Sequence, residues 1–356
     1  MSRRSFVAGT SAVIGAAAMT SIPACASVGI ASQEKPYEFC TFIKFLQGLS
    51  YEELAQKLKE IGFDGAEVTV RKKGYITPDK AADELPKLAE VFKKHDLKIN
   101  MITTDIVEVD SPHAESILET AASLGIQLYR MGYCKYELKD PIKPQLESFK
   151  SQFKELAALN KETGVTGGYH NHAGSKNVGA SLWDLAQLLG DIPREEIGSM
   201  FDIRHAVAES SGGWQVYYDI IKPHILALVV KDFRWGWKKD KDRRLSPVHC
   251  PLGLGQVDYP KFLKRFKEDF PNALVSLHVE YLREVEKKDK DKDKDKEEEK
   301  DEDTAKDEDT AKDKDEKKEK EKEEEEKKEK EKLAEINLAA IKRDFGILRE
   351  AMSAKE

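Results

Sequence analysis

The chain has 356 residues and a formal net charge of −7, with 35% charged and 40% hydrophobic residues. An acidic balance with no aromatic-basic patch argues against a nucleic-acid binder. Four cysteines and no CxxC pair argue against a disulfide framework or a zinc-thiolate centre.

The first segment reads as an export signal. Ser2-Arg3-Arg4-Ser5-Phe6-Val7 precedes an apolar stretch over 8–22 and then Ala24-Cys25-Ala26. Paired arginines, a short apolar core and a small-residue cleavage pattern predict a twin-arginine signal over 1–26 and a periplasmic destination. The apolar stretch is too short and too rich in Ala and Gly for a membrane span. Ile22-Pro23-Ala24-Cys25 also resembles a lipoprotein box, which leaves a lipid anchor on Cys25 as an alternative.

Between 36 and 283, short β-type runs alternate with helical patterns. The runs fall at 37–43, 65–70, 98–103, 127–131, 165–170, 198–202, 225–230 and 274–280. The helical patterns fall at 51–61, 79–95, 112–124, 143–163, 182–189, 214–221 and 259–269, with the last at 333–352. Ser50 with Glu53 gives a capping-box start, and Gly62, Gly125 and Gly164 stand at helix ends. Strictly alternating units predict a parallel sheet, and their number favours a single closed (β/α)8 barrel. No GxGxxG follows the first strand, and Gly253-Leu254-Gly255 is too weak a substitute for a dinucleotide fold. The stretch 284–332 is almost wholly Lys, Asp and Glu. It cannot bury a core, and it reads as a solvated insertion, disordered or a lone helix laced by i,i+4 pairs. It lies between the last strand and the final helix at 333–353, so its root falls on the barrel rim, where a lid is one use for it.

Polar residues close the apolar runs: Glu67, His170-Asn171-His172, Asp202 with His205 in the following loop, Lys231-Asp232, and Glu280. At the carboxyl ends of parallel strands these groups converge on one mouth. His170 and His172 share a side if the strand continues, as do His278 and Glu280. Carboxylates and imidazoles suit a divalent ion such as Zn, Mn or Mg and proton transfer beside a carbonyl. The bland alternatives are satisfied core groups: a partnered acid for Glu280 and Asp202, core histidines, and a Lys231 that only pairs with Asp202 or Asp232. Arg71 either clamps a substrate or is a surface charge. Trp235 and Trp237 either stack on a sugar or anchor a loop.

The stretches Phe63-Asp64-Gly65-Ala66-Glu67, Tyr169-His170-Asn171-His172, Phe201-Asp202-Ile203-Arg204-His205, Val230-Lys231-Asp232 and Val279-Glu280 resemble the xylose isomerase-like TIM-barrel family. That family includes sugar and sugar-phosphate isomerases and epimerases, keto-inositol dehydratases and endonuclease-IV-like proteins. The resemblance implies four metal ligands: a Glu, an Asp, a His and a Glu on the fifth to eighth strands. Asp202 and Glu280 match, His170 stands at the first Glu, and Val229 stands at the His. His172, His205 or His278 is then the compensating ligand. The expectation is an exported sugar isomerase or epimerase, with a divalent metal on Asp202, Glu280 and His170. Glu280, His170 and His172 would move protons, Lys231 would stabilise negative charge, and Glu67, Arg71, His205 and Trp235 would bind a small carbohydrate. The alternatives are a keto-sugar or keto-inositol lyase and a non-catalytic carbohydrate-binding barrel.

Overall fold

Local signals start and stop the first helix as the sequence predicts. Ser50 accepts the N–H of Glu53 while the Glu53 carboxylate accepts the N–H of Ser50, and α1 (Tyr51–Ile61) ends at Gly62 with φ 101°. That left-handed turn suits glycine, which has no Cβ to clash. The computed structural model describes residues 37–237, 244–282 and 311–354. The expected signal at 1–26, with Cys25, and residues 284–310 of the expected insertion lie outside them.

Eight strands close into a parallel barrel: β1 (Glu38–Phe42), β2 (Gly65–Thr69), β3 (Lys98–Thr103), β4 (Leu128–Arg130), β5 (Thr166–His170), β6 (Ile197–Asp202), β7 (Ile225–Val230) and β10 (Leu274–Leu277). Around them run α1, α2 (Ala81–Lys94), α3 (Ala114–Ser123), α4 (Ile142–Thr163), α5 (Leu182–Leu189), α6 (Ile203–Ser210), α7 (Trp214–Ile221), α8 (Tyr259–Asp269) and α9 (Ala311–Ser353). A hairpin, β8 (Asp232–Trp237) with β9 (Leu245–Cys250), stands outside the barrel sheet. Leu, Ile and Phe side chains between strands and helices form the main core, and Cys40, Met101, Met200, Ala227 and Val229 form a separate cluster. No helix among the described residues is long and apolar enough to cross a membrane.

Three local differences from the sequence reading bear on the mouth. Strand β5 stops at His170 and β10 at Leu277, so His172, His278 and Glu280 lie on the loops just beyond. His205 sits in the first turn of α6, not in a loop, because Asp202 caps that helix by accepting the His205 N–H at 3.1 Å. Residues 232–237 and 245–250 pair as antiparallel strands instead of lying in a plain loop. The closing helix α9 also reaches back into the Lys/Glu-rich run, where Lys328–Glu324 and Lys327–Glu331 pair at i,i+4 on exposed sides. Its buried side is Ala334, Asn337, Ile341, Phe345, Leu348 and Met352, a helical three-and-four spacing. Phe345 stacks on Phe63 at 4.0 Å.

Candidate active site

Strand alternation sends every second side chain into the barrel. On four strands the inward sequence therefore runs from an apolar residue to a polar one: Met101 then Thr103, Leu128 then Arg130, Met200 then Asp202, Val229 then Lys231. The last of each set meets its neighbours at the carboxyl mouth.

Glu67 is the buried anchor of one side. Its Oε1 accepts Thr103 Oγ1 at 2.6 Å and Arg130 Nη1 at 3.0 Å, and its Oε2 accepts Ser276 Oγ at 2.6 Å and His278 Nε2 at 2.7 Å. Burial alone would raise its pKa, but His278 and Arg130 hold it well below the usual carboxylate range. Phe42 lies against this group, with His278 stacked at 4.6 Å and the Arg130 guanidinium 4.8 Å from its ring centre.

Asp202 is the hub of the other side. Asn171 fixes it by accepting the Asp202 N–H and donating to the Asp202 carbonyl. Its Oδ2 lies 2.9 Å from His170 Nε2 and 3.2 Å from Lys231 Nζ. Lys231 also donates to Glu280 Oε2 at 2.9 Å. Burial would raise the pKa of both acids, yet Lys231 above all holds Asp202 and Glu280 well below the carboxylate range. Burial would lower that of Lys231, and the same two carboxylates raise it. The pair is thus ionised on both sides, and Glu280 keeps 18% of its side chain exposed.

Donor and acceptor roles fix the imidazoles. An ionised Asp202 can only accept, so His170 carries its hydrogen on Nε2 and takes the Tyr133 hydroxyl at Nδ1, 3.0 Å away. His205 Nδ1 receives both the Ala173 N–H and an Arg204 Nη1–H, at 3.1 and 2.8 Å. Its hydrogen is therefore on Nε2, a buried atom without a hydrogen-bond partner among the described residues. His172 donates Nδ1–H to the Ala173 carbonyl at 2.9 Å, which leaves Nε2 basic. Burial pushes His170 down to about 3 and, with Lys231 nearby, His172 to about 4; burial likewise takes His249 to about 4.

These shifts set a pH dependence. A histidine held neutral in the fold but free to charge when unfolded destabilises the fold as pH drops below its ordinary value near 6.5. Stability should be full above pH 7 and fall by about 1.4 kcal/mol per pH unit for each such imidazole between pH 6 and 4. The depressed acids add their own loss only below about pH 4. Denaturant melts at pH 7 and pH 5 test this. Equal stabilities at the two values would contradict neutral, buried imidazoles.

Of the residues singled out from sequence, His170, Asp202, His205, Lys231 and Glu280 come together, with His172 beside them, its ring 4.0 Å from that of His205. Two of the ligand-binding assignments need correction. Glu67 is fully buried and saturated by four donors, so it positions Arg130 and His278 and presents nothing to a ligand. Trp235 packs edge-on to Phe233 and, 43% exposed, lines an outer groove of about 380 Å³ with Val207 and Trp214, apart from the polar cluster. Arg71 stays at the mouth, half-buried, its guanidinium 5.7 Å from the Phe42 ring centre. Arg130, Tyr133, Arg204 and His249 were not anticipated. Arg130 carried the same signal as Glu67, a charge closing an apolar run, whereas Tyr133 and His249 carried none.

Ligand atoms of His170, Asp202 and His205 lie within 4.8 Å of one another, a spacing compatible with a divalent ion. Residues 55–302 match the protein family described as xylose isomerase-like TIM barrel. No curated protein matches the chain by sequence. Among solved structures, a D-tagatose 3-epimerase-like protein aligns with a TM-score of 0.53 at 17% identity, over 72% of this chain and 96% of that one. A probable 3-DHS dehydratase involved in petrobactin synthesis from Bacillus anthracis aligns with a TM-score of 0.54 at 14% identity, over 68% and 93%. A 3-keto-D-glucoside 4-epimerase from E. coli aligns with a TM-score of 0.51 at 13% identity, over 68% and 91%. At such identities the likeness is one of fold.

Proposed function

This chain belongs to the xylose isomerase-like TIM barrel family, and from that membership and the chemistry of its mouth we propose that it moves protons α to the carbonyl of a small keto- or aldo-sugar, as an isomerase or epimerase. The observation that carries this reading is Glu280: a partly exposed carboxylate kept ionised by a buried ammonium at 2.9 Å. It takes the α-proton as the C–H pair moves into an enediolate. The Lys231 ammonium favours the negative charge that grows on oxygen, a term worth a few kcal/mol for one well-placed donor. In isomerisation His172 Nε2 takes the proton of the neighbouring hydroxyl and hands it to the former carbonyl oxygen, while Glu280 returns its proton to the adjacent carbon. His205 Nε2–H, 3.7 Å from Asp202 Oδ2, and Arg204 Nε are buried donors without hydrogen-bond partners among the described residues, and a polyhydroxylated ligand offers them oxygens. His170 has both nitrogens engaged, so it orients Asp202 and Tyr133 instead of exchanging protons.

Incubation of the purified chain with a panel of keto- and aldo-sugars in deuterated water tests the proposal. The expected result is deuterium at the carbon next to the carbonyl, with every substituent retained. Loss of a hydroxyl as water would make the enzyme a lyase. No exchange with any sugar, together with measurable sugar binding, would leave a binding barrel.

A further inference from the structure

We propose that the Lys231 ammonium is the resident cation of this mouth and holds the place a divalent ion would take between Asp202 and Glu280. The inference concerns the same pocket as the proposed reaction but does not need it, because it is read on the protein alone.

Nζ lies 3.2 Å from Asp202 Oδ2 and 2.9 Å from Glu280 Oε2, so the two acids already share one cation. Two nitrogens beside them, His170 Nε2 and His205 Nε2, carry hydrogens and are the wrong kind for a metal. A metal takes a lone pair, and His205 Nε2 cannot offer one while Nδ1 receives the Ala173 and Arg204 hydrogens. Spacing alone does not separate a lone pair from an N–H; the hydrogen bonds do. Strand β7 adds no ligand either, since Val229 packs among Cys40, Met101, Met200 and Ala227. Two residues further on, the same inward face delivers Lys231.

Charge points the same way. The acids of the cluster, Glu67, Asp202 and Glu280, stand against three buried cations, Arg130, Lys231 and Arg204, with the half-buried Arg71 beside them. Arg204 is close enough to feel both Asp202 and Glu280. A divalent ion added to this set would leave two positive charges uncompensated in a buried place, which is costly.

The test uses the full chain, stripped with EDTA and titrated with Mn²⁺ under electron paramagnetic resonance, with Zn content read by mass spectrometry. The expected result is no stoichiometric ion and a Tm that EDTA does not move. Lys231→Met should bind Mn²⁺ about tenfold or more tighter than the unaltered protein, with a Mn²⁺-dependent rise in Tm, whereas Lys231→Arg should remain without metal. One equivalent of Mn²⁺ or Zn²⁺ on the unaltered chain overturns the proposal, as does a folded Lys231→Met that gains no Mn²⁺. Should Lys231→Met not fold, the unaltered chain and Lys231→Arg still decide. A sugar-exchange assay that fails leaves this result standing.

Discussion

Glu280→Gln lowers α-proton exchange by about 10²–10⁴-fold, the usual worth of a positioned general base, while the fold and sugar binding persist. The substitution keeps shape and removes only the charge. Lys231 still has Asp202 at 3.2 Å, so its ammonium is not stranded. The side chain also sits at the mouth with part of it exposed, so no sealed cavity is disturbed. Deuterium exchange rates and a thermal melt on the same preparation separate the two effects. A rate within about threefold of the unaltered enzyme would remove Glu280 from the chemistry, and His172 would then be the base to test.

Why Glu280 was visible in the sequence, and why its partners were not, follows from how the mouth is made. An apolar run that ends in a charge is costly to bury unless something meets it, and that signal marked Glu67, His170, Asp202, Lys231 and Glu280. What it cannot carry is which group meets which. Glu67 and His278 are 211 positions apart in the chain, and only closure of the barrel joins them. The same limit hid Tyr133, whose hydroxyl reaches His170 from the loop after β4. Other parts were legible but passed over. Phe233, Trp235 and Trp237 recur at period two, the mark of a strand, and they build β8. Asp202 precedes a helix as an N-cap, which carries His205 inward on α6. Trp235 follows the same pattern: in a loop its ring could swing over the mouth, whereas in the hairpin it pairs across from Pro247 and faces the outer groove.

Glu67→Ala should cost about 3–5 kcal/mol of folding stability, the range for breaking one side of a buried ion pair. The carboxylate is fully buried and takes four hydrogen bonds. Its loss leaves the Arg130 guanidinium, whose side chain is 4% exposed, without its paired carboxylate. Arg130 Nε already lacks a hydrogen-bond partner, so losing Glu67 adds to an unmet demand. The cost therefore arises from the unpaired cation more than from the missing contacts. Replacing both members, as Glu67→Ala with Arg130→Met, should recover part of it, because the double variant buries no lone charge. Denaturant unfolding of the two single variants and the pair gives the coupling directly. If Glu67→Ala loses less than about 1 kcal/mol, or the pair loses as much as the two singles added together, Glu67 is not the anchor of the mouth.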